Sequence, residues 1–361
     1  MVKNQLDVSK IFEIVISKPI FMKIRDLILF ILDKIGLNEL FRLINKNKYI
    51  ILCYHGVSHR YINFSYRHVA KSEFEEQVKY LIKKNYTFIT LTNLINSLKN
   101  NRKLKEKCVI LTFDDGFKDV IKNAYPVMKK YNAKGCFYIV SSLIGNEKLL
   151  WTNYIEALIY NSPGKIKFRF KDEIFEYSLD SLEKINKAIK DIKAKLRSVD
   201  NKDRISHLKQ FKIANKISAF KKVPNEYIIV DWKDLSLLDK NILEIGSHTK
   251  THPNLETLET KDEFFHELNE SKLEIEKKIG YNIYHLCYPG GSFNNKTIHH
   301  AKNFGYLTGT TLIEGLNAQE EDLFRLKRLY IKNNFLEFKA KASGLYSFIS
   351  HQILRFINKS K

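Results

Sequence analysis

The sequence predicts an α/β protein built on a distorted barrel of seven or eight β/α units, and two observations carry this prediction. From residue 49 onward, short apolar runs typical of strands alternate with amphipathic segments typical of helices. The length of 361 residues suits one barrel-sized domain with additions better than several small domains. We therefore expect a barrel over residues 49–332, a helical N-terminal extension over 1–48 and a basic helical tail over 333–361.

The apolar runs give the expected strands of the barrel in chain order. They are residues 49–54, 88–91, 108–113, 135–140, 243–248, 284–288, 306–311 and 326–331. Amphipathic segments lie between most of them, and the first begins at Ser72, where Glu75 three residues later completes a predicted capping box. Because parallel strands joined by helices bring their carboxyl ends to one face, we expect the chemistry of the protein at that face.

Residues 146–230 interrupt the β/α alternation. Alternating apolar residues at 166, 168 and 170, followed by a polar turn and a second short run, predict a β-hairpin. Lysine-rich helical patterns follow it. We interpret this stretch as an α+β insertion between barrel units that forms a lid or a surface for substrate or a partner.

An apolar stripe recurs at helical spacing in the N-terminal extension, at Ile24, Leu27, Ile31 and neighbouring positions. Either this helix packs on the main domain through the stripe, or it lies on a membrane surface. Acidic Asp26 and Asp33 dilute the basic side and favour packing. Charged residues also interrupt the segment too often for a membrane-spanning helix, and no secretory signal is evident.

The composition indicates which kinds of binding partner and which cellular compartment to expect. A formal net charge of +21 suggests contact with anionic lipid, a phosphate-bearing glycan carrier or nucleic acid, although scattered lysines also fit a diffusely basic surface. Nucleic acid is not expected, because no aromatic–basic recognition module is present. The four cysteines lie singly inside apolar runs, as in a reducing compartment. We expect a cytoplasmic protein with possible peripheral contact with an anionic membrane at its inner face.

Two adjacent carboxylates, Asp114 and Asp115, follow the apolar run at 108–113. They form either a solvated Asp-Asp-Gly turn or a buried pair that needs a cation or strong hydrogen bonds. His248 and His252 follow a later strand, and Pro253 disfavours a helix at His252, so the two imidazoles are expected on a tight loop. One carboxylate with two imidazoles would make a divalent-metal site that leaves room for water.

Together these segments resemble the polysaccharide deacetylases of carbohydrate esterase family 4. The motifs are TFDDG at residues 112–116, SHTKTH at 247–252 and YPGG at 288–291, and their order and strand placement match over residues 49–332. The YHGV run at 54–57 is similar to the branch that includes poly-N-acetylglucosamine deacetylases. The resemblance implies a barrel enzyme that removes acetyl groups from a glycan.

The resemblance also implies roles for individual residues. Asp115, His248 and His252 would hold the divalent metal, zinc by preference, and Asp114 would be the base that takes a proton from water on the metal. The backbone N–H of Tyr288 would stabilise the oxyanion. Many members protonate the leaving amine from a late Leu-x-His motif, which is missing here, so we assign that role to His55, as in the branch with the early Tyr-His motif.

A second departure from the family concerns the arginine that precedes the Tyr-Pro motif and orients the base. Cys287 stands in its place, and Arg325 or Arg328 could supply the guanidinium instead. Further residues are predicted to contact substrate. They are Pro289, Gly290, Arg328 and Trp151.

We therefore predict metal-dependent hydrolysis of the N-acetyl group of an N-acetylated sugar, in a polysaccharide or in a lipid- or nucleotide-linked glycan precursor. Two alternatives remain open at this point. One is a non-catalytic glycan-binding protein that keeps the fold, and the other is a hydrolase of a different C–N bond, such as a cyclic amide.

Overall fold

The computed structural model describes residues 20–59, 67–100, 104–146, 148–162, 164–217 and 225–350. Eight parallel strands form its main sheet, which confirms the predicted barrel class. These strands are β1 (Ile50–Tyr54), β4 (Thr87–Phe88), β5 (Cys108–Phe113), β6 (Gly135–Ile139), β9 (Leu243–Ser247), β10 (His285–Cys287), β11 (Thr308–Thr310) and β12 (Leu329–Tyr330). Two further pairs lie outside the sheet: β2 (Gly56–Ser58) with β3 (His68–Ala70), and β7 (Lys165–Phe170) with β8 (Glu173–Ser178).

The sheet curls until its two edges are nearly joined. The strand order is β11-β10-β9-β6-β5-β1-β12, and β4 pairs with the beginning of β5. The segment 326–330 pairs with both edges, because Leu326 bridges to Thr310 of β11 while Leu329 pairs with Leu52 of β1. The closure of the barrel therefore depends on a short irregular segment, not on a long regular strand.

Helices surround the sheet and follow most of its strands. They are α1 (Ile20–Lys34), α2 (Leu37–Ile44), α3 (Lys71–Lys83), α4 (Leu91–Lys99), α5 (Tyr125–Tyr131), α6 (Trp151–Tyr160), α7 (Leu182–Arg197), α8 (Asn201–Ala214), α9 (Trp232–Ser236), α10 (Lys261–Phe264), α11 (Ser271–Ile279), α12 (Asn295–Asn303) and α13 (Phe335–Ser343). The capping box predicted at Ser72 is wrong, since α3 begins one residue earlier and its N-cap is Ala70.

The strands divide their side chains between two cores, as alternation along a strand requires. In β5, Val109, Leu111 and Phe113 pack outward against the helices, whereas Ile110 packs with residues of other strands inside the barrel. Asp114 comes four residues after Ile110, and side chains an even number of residues apart on a strand point to the same side. The side chain of Asp114 therefore also points into the barrel. This register delivers a charged group to the end of the barrel interior.

The insertion contains the predicted hairpin and has its own apolar core. Strands β7 and β8 pair antiparallel, with Phe168 opposite Phe175. Phe168 packs with buried side chains of α6, α7 and α8, including Ile155 and Ile192. Helix α6 thus connects the hairpin to the barrel and brings insertion side chains toward the carboxyl ends of the strands.

The N-terminal helices lie on α13, but not in the predicted orientation. Their polar side chains face α13, and the apolar stripe of α1 faces solvent, with Leu27 57% and Ile31 49% exposed. The interpretation that this stripe packs on the main domain is therefore wrong. Of the predicted terminal extensions, residues 1–19 and 351–361 lie outside the described part of the chain. None of the described helices is long and apolar enough to span a bilayer.

Candidate active site

The two adjacent carboxylates lie at the carboxyl end of β5, both buried. The N–H of Asp114 still bonds to the carbonyl of Tyr54 at 3.0 Å, so this residue extends the ladder with β1. At Asp115 the backbone turns into the left-handed region, with φ of +74°, and Gly116 follows at +79°. Left-handed backbone is costly for a residue with a side chain, so its presence here marks a constrained site. The solvated-turn alternative does not apply.

His248 and His252 lie on the loop after β9, as predicted. Thr249 and His252 both have positive φ, +67° and +59°, which folds the loop tightly. The buried carboxylate of Glu267 fixes it by accepting hydrogen bonds from the N–H groups of Lys250 (3.1 Å) and Thr251 (2.9 Å). The two imidazole rings stand nearly perpendicular, with centroids 4.8 Å apart.

The structure brings Asp115, His248 and His252 together with the spacing of metal ligands. Oδ1 of Asp115 lies 3.5 Å from Nε2 of His248 and 3.6 Å from Nε2 of His252. A tetrahedral zinc ion at about 2.0–2.2 Å from each donor would hold its donors roughly 3.3–3.6 Å apart. All three donor atoms lie within 4.8 Å of one another, so the three residues fit a divalent cation, and three donors are one fewer than a tetrahedral ion takes.

The surroundings of the two imidazoles also suit a metal site. Nδ1 of His248 bonds to the carbonyl of Cys287 at 2.9 Å, which fixes the ring and turns Nε2 toward Asp115. Nδ1 of His252 is buried and has no hydrogen-bond partner among the described residues. Burial and the neighbouring His248 hold the pKa of His252 well below its usual range, which favours the neutral form that a metal ligand needs.

Arg328 lies behind Asp114 and holds its carboxylate. The guanidinium donates to both oxygens, at 2.7 Å (Oδ1) and 2.8 Å (Oδ2). Its remaining donors bond to Thr112, Thr311 and Cys287, so all five N–H groups are used. Burial raises the pKa of Asp114, but the charge and hydrogen bonds of Arg328 outweigh it and lower the pKa to about 2. Asp114 is ionised at neutral pH.

Among the described residues, one other group lies close enough to share a cation: Asp114, His248 and Cys287. This group does not fit a metal as well. Both oxygens of Asp114 and the sulfur of Cys287 already accept hydrogen bonds from Arg328, and a second cation would have to displace that guanidinium. Of the two groups, the one that contains Asp115 fits a metal better.

His55 follows β1 and faces the same end of the barrel. Nδ1 of its ring is buried and has no hydrogen-bond partner among the described residues, and the ring packs edge-on against Tyr330. Burial lowers its pKa, while the charges of Asp115 and Asp114 act in the opposite direction. The structure thus places a partnerless imidazole nitrogen within electrostatic range of both carboxylates.

Two roles predicted from the sequence need correction. The N–H of Tyr288 donates to the carbonyl of Thr310 at 3.1 Å, so it is committed to the pairing of β10 with β11 and is not available to an oxyanion. The substrate contact predicted for Arg328 is also wrong, since its side chain is fully buried and every donor is used. Pro289 is buried, whereas Gly290 beside it is exposed.

Trp151 lies close to the candidate metal centre and contacts the backbone of His252, one of the residues of that centre. Its Nε1 donates to the carbonyl of His252 at 3.0 Å, and the guanidinium of Arg204 stacks 4.7 Å from its ring centre. Arg204 also donates to the carbonyl of His252, at 3.4 Å. Both side chains belong to the insertion, so the insertion helps to fix the loop that carries the two imidazoles.

Sequence reasoning missed a buried network that connects Asp115 to the insertion. Arg67 lies 3.4 Å from Oδ2 of Asp115 and 2.8 Å from the carboxylate of Glu156 on α6. Lys193 forms a short ion pair with the same carboxylate, and the hydroxyl of Tyr227 donates to it at 2.7 Å. The five residues of this network come from separate segments of the chain, and no local pattern joins them.

Comparisons with known proteins agree with this geometry. The family model described as polysaccharide deacetylase matches residues 101–173 and 206–309. A putative polysaccharide deacetylase, YxkH of Bacillus subtilis, is 22% identical over 286 residues, which are 78% of this chain and 70% of the relative. The poly-beta-1,6-N-acetyl-D-glucosamine N-deacetylase of Staphylococcus aureus is 28% identical over 159 residues, 42% of this chain; the match spans about half, 52%, of that relative's length.

Solved structures show the same fold. The deacetylase PplD of Streptococcus pyogenes, in complex with acetate, aligns with a TM-score of 0.54 at 21% identity, covering 82% of this chain and 98% of that one. IcaB from Ammonifex degensii aligns with a TM-score of 0.53 at 16% identity, covering 82% and 97%. With the matched family model, the motifs at the strand ends and the shared barrel, the chain belongs to the polysaccharide deacetylase family.

Proposed function

We propose that this protein is a metal-dependent hydrolase that removes the acetyl group from an N-acetylated sugar of a glycan. One observation carries the proposal. A carboxylate and two imidazoles stand at the spacing of a shared cation, and a second buried carboxylate lies directly beside them. The curated relatives include a poly-beta-1,6-N-acetyl-D-glucosamine N-deacetylase, which supports the same reaction class.

Asp115, His248 and His252 would hold the cation, and zinc suits this set of one oxygen and two nitrogen donors. When bound, the cation supplies a Lewis acid that acidifies a water molecule and polarises the acetamide carbonyl. Asp114 is the proton acceptor in this proposal. Its carboxylate stays ionised because Arg328 lowers its pKa, and the same guanidinium fixes its orientation through two hydrogen bonds.

We assign proton donation to the leaving nitrogen to His55. Nδ1 of this ring is buried and has no hydrogen-bond partner among the described residues, and burial lowers the pKa of His55 more than the nearby carboxylates raise it. A donor must deliver its proton to the amine as the C–N bond breaks, because an amide anion is a very poor leaving group. His55 lies at the same end of the barrel as the proposed base and needs no movement of the sheet.

The identity of the substrate and the location of the enzyme are finer proposals. We propose an N-acetylated glycan or a carrier-linked sugar as substrate, and a cytoplasmic enzyme that contacts an anionic membrane peripherally. The formal charge of +21 and the exposed apolar residues of the N-terminal helices support membrane contact.

Acetate release tests the proposed reaction. Zinc-loaded protein is incubated with a panel of N-acetylated glycans and carrier-linked sugars, and free acetate is measured before and after chelation. We expect release from at least one substrate, loss on chelation and recovery with zinc. The Asp115→Ala/His248→Ala double variant should be inactive, and undiminished release from it would contradict the metal mechanism. Zinc binding without acetate release from any substrate would favour a non-catalytic glycan-binding protein.

A further inference from the structure

The N-terminal helices present an unusual apolar surface to solvent. On α1, the exposed side chains recur at spacings of three and four residues and therefore share one side of the helix. Helix α2 packs against α1 and adds three more exposed aliphatic side chains. We call this set the terminal apolar face, and its members are 49–69% exposed: Ile24, Leu27, Ile28 and Ile31 on α1, Ile35 directly after α1, and Leu40, Leu43 and Ile44 on α2.

Polar contacts hold these helices with their apolar side outward. Nδ2 of Asn334 donates to Asp26 at 3.0 Å, and Lys339 forms an ion pair with Asp33 at 2.8 Å. Both contacts join α1 to α13 or to its N-cap, and only Leu29 of the described α1 side chains is buried there. A surface helix ordinarily turns its apolar stripe inward, so the arrangement here is reversed. The orientation is fixed by specific pairs, which indicates that the apolar side has a use.

The composition of the terminal apolar face indicates what covers it. Large contiguous apolar patches on a protein surface mark contacts with a partner or a membrane. This face consists of isoleucine and leucine, with Phe30 of the same helix 45% exposed, and it lacks the Trp, Tyr and Arg residues that anchor most protein–protein interfaces. Residues 20–48 also contain six Lys or Arg against three Asp or Glu. Aliphatic residues within a basic segment suit a bilayer that contains anionic lipid.

We propose that the terminal apolar face binds the surface of an anionic lipid bilayer, with α1 and α2 lying in the plane of the interface. This inference deepens the proposed function, because it places the enzyme beside its substrate. Asp26, near the start of α1, contacts Asn334, which follows β12 at the carboxyl end of the barrel. The face thus reaches the end of the barrel that carries the candidate metal centre, and a sugar attached to a lipid carrier could enter from the membrane.

Vesicle binding tests the surface. The full chain is mixed with vesicles of phosphatidylcholine alone or with added phosphatidylglycerol, and the bound fraction is measured by flotation at low and high salt. The test variant is Leu27→Glu/Ile31→Glu. The matched control is Ile213→Glu/Leu237→Glu, which adds the same charge at side chains that are 67% and 73% exposed elsewhere on the surface.

We expect the wild type and the control to bind vesicles that contain phosphatidylglycerol, more weakly at high salt, and the test variant to bind at least about tenfold more weakly. Acetate release from a short soluble substrate should be equal in all three proteins. Vesicle binding without acetate release would refute the proposed reaction only, whereas acetate release without vesicle binding would refute the membrane surface only.

Three results would overturn the membrane surface. The first is equal binding by the test variant and the control. The second is a wild-type dimer in light scattering that Leu27→Glu/Ile31→Glu converts to a monomer, because the face would then join two copies of the chain. The third is a clear loss of thermal stability in the test variant but not in the control, because a segment of the chain itself, such as 1–19 or 351–361, would then cover the face.

Discussion

Replacement of Arg328 by methionine should destabilise the protein by leaving Asp114 charged and alone in the barrel interior. The two groups are joined by hydrogen bonds of 2.7 and 2.8 Å, and both side chains are almost fully buried. Breaking a buried ion pair by removing one partner costs about 3–5 kcal/mol. At about 2 °C per kcal/mol for a chain of this size, the melting temperature should fall by roughly 6–10 °C.

A double variant separates the ion pair from the loss of side-chain packing. Asp114→Asn/Arg328→Met leaves neither charge buried, so it should be more stable than the sum of the two single effects predicts, by about 0.5–3 kcal/mol. Arg328→Met should also shift the acidic limb of the kcat/KM profile to higher pH. Burial raises the pKa of Asp114 and only the guanidinium brings it down to about 2, so the carboxylate protonates at a higher pH once the guanidinium is gone.

Urea denaturation measures the stability of these variants, and acetate release across a pH series measures the profile. The matched control is Arg325→Met, the other arginine near the last strand. Arg325 is about half exposed, contacts Asn295 and Asp322, and should change stability by no more than about 0.5 kcal/mol. If Arg328→Met matched Arg325→Met in both measurements, the conclusion that Arg328 holds the base would be refuted.

Three further predictions concern individual side chains. His252→Ala should lose bound zinc and acetate release together, while His266→Ala on the exposed surface should keep both, as elemental analysis and an acetate assay would show. His55→Asn should lower kcat by about 10²–10⁴-fold with bound zinc unchanged, and loss of the metal would instead indicate a structural role. Burial raises the pKa of Glu156, but Arg67 and a neighbouring lysine lower it to about 2, so its stabilising effect should be complete above its usual value of 4.5 and be lost as the pH falls toward 2. Glu156→Gln should remove this part of the pH dependence of urea denaturation, and an unchanged curve would contradict it.

The sequence was sufficient to predict the barrel and the proximity of Asp115, His248 and His252 within it. Alternating apolar and amphipathic segments specify parallel strands, and Asp115, His248 and His252 each follow such a strand, so they converge without being close along the chain. The choice of Arg328 over Arg325 could not be made in the same way. Arg325 and Arg328 both lie just before the short strand β12. Which of the two points into the barrel depends on the register in which residues 326–330 pair with the sheet.

Other features depend on contacts that no local pattern contains. The interaction of Arg67 with Glu156 joins a residue before β3 to a helix of the insertion, and neither has a neighbouring motif. Periodicity identified the stripe on α1, but it could not tell which side would face the protein. That choice depends on polar partners of Asp26 and Asp33 on α13, about 300 residues further along the chain.

The irregular closure of the barrel has a consequence for how the enzyme matures. The residues that bridge β11 to β1 at 326–330 include the arginine that neutralises Asp114. During synthesis, the first strands leave the ribosome long before this segment does. In a nascent chain, Asp114 therefore lacks the arginine that pairs with it until the closing segment has been made. The segment that completes the sheet thus also supplies the charge that keeps Asp114 ionised.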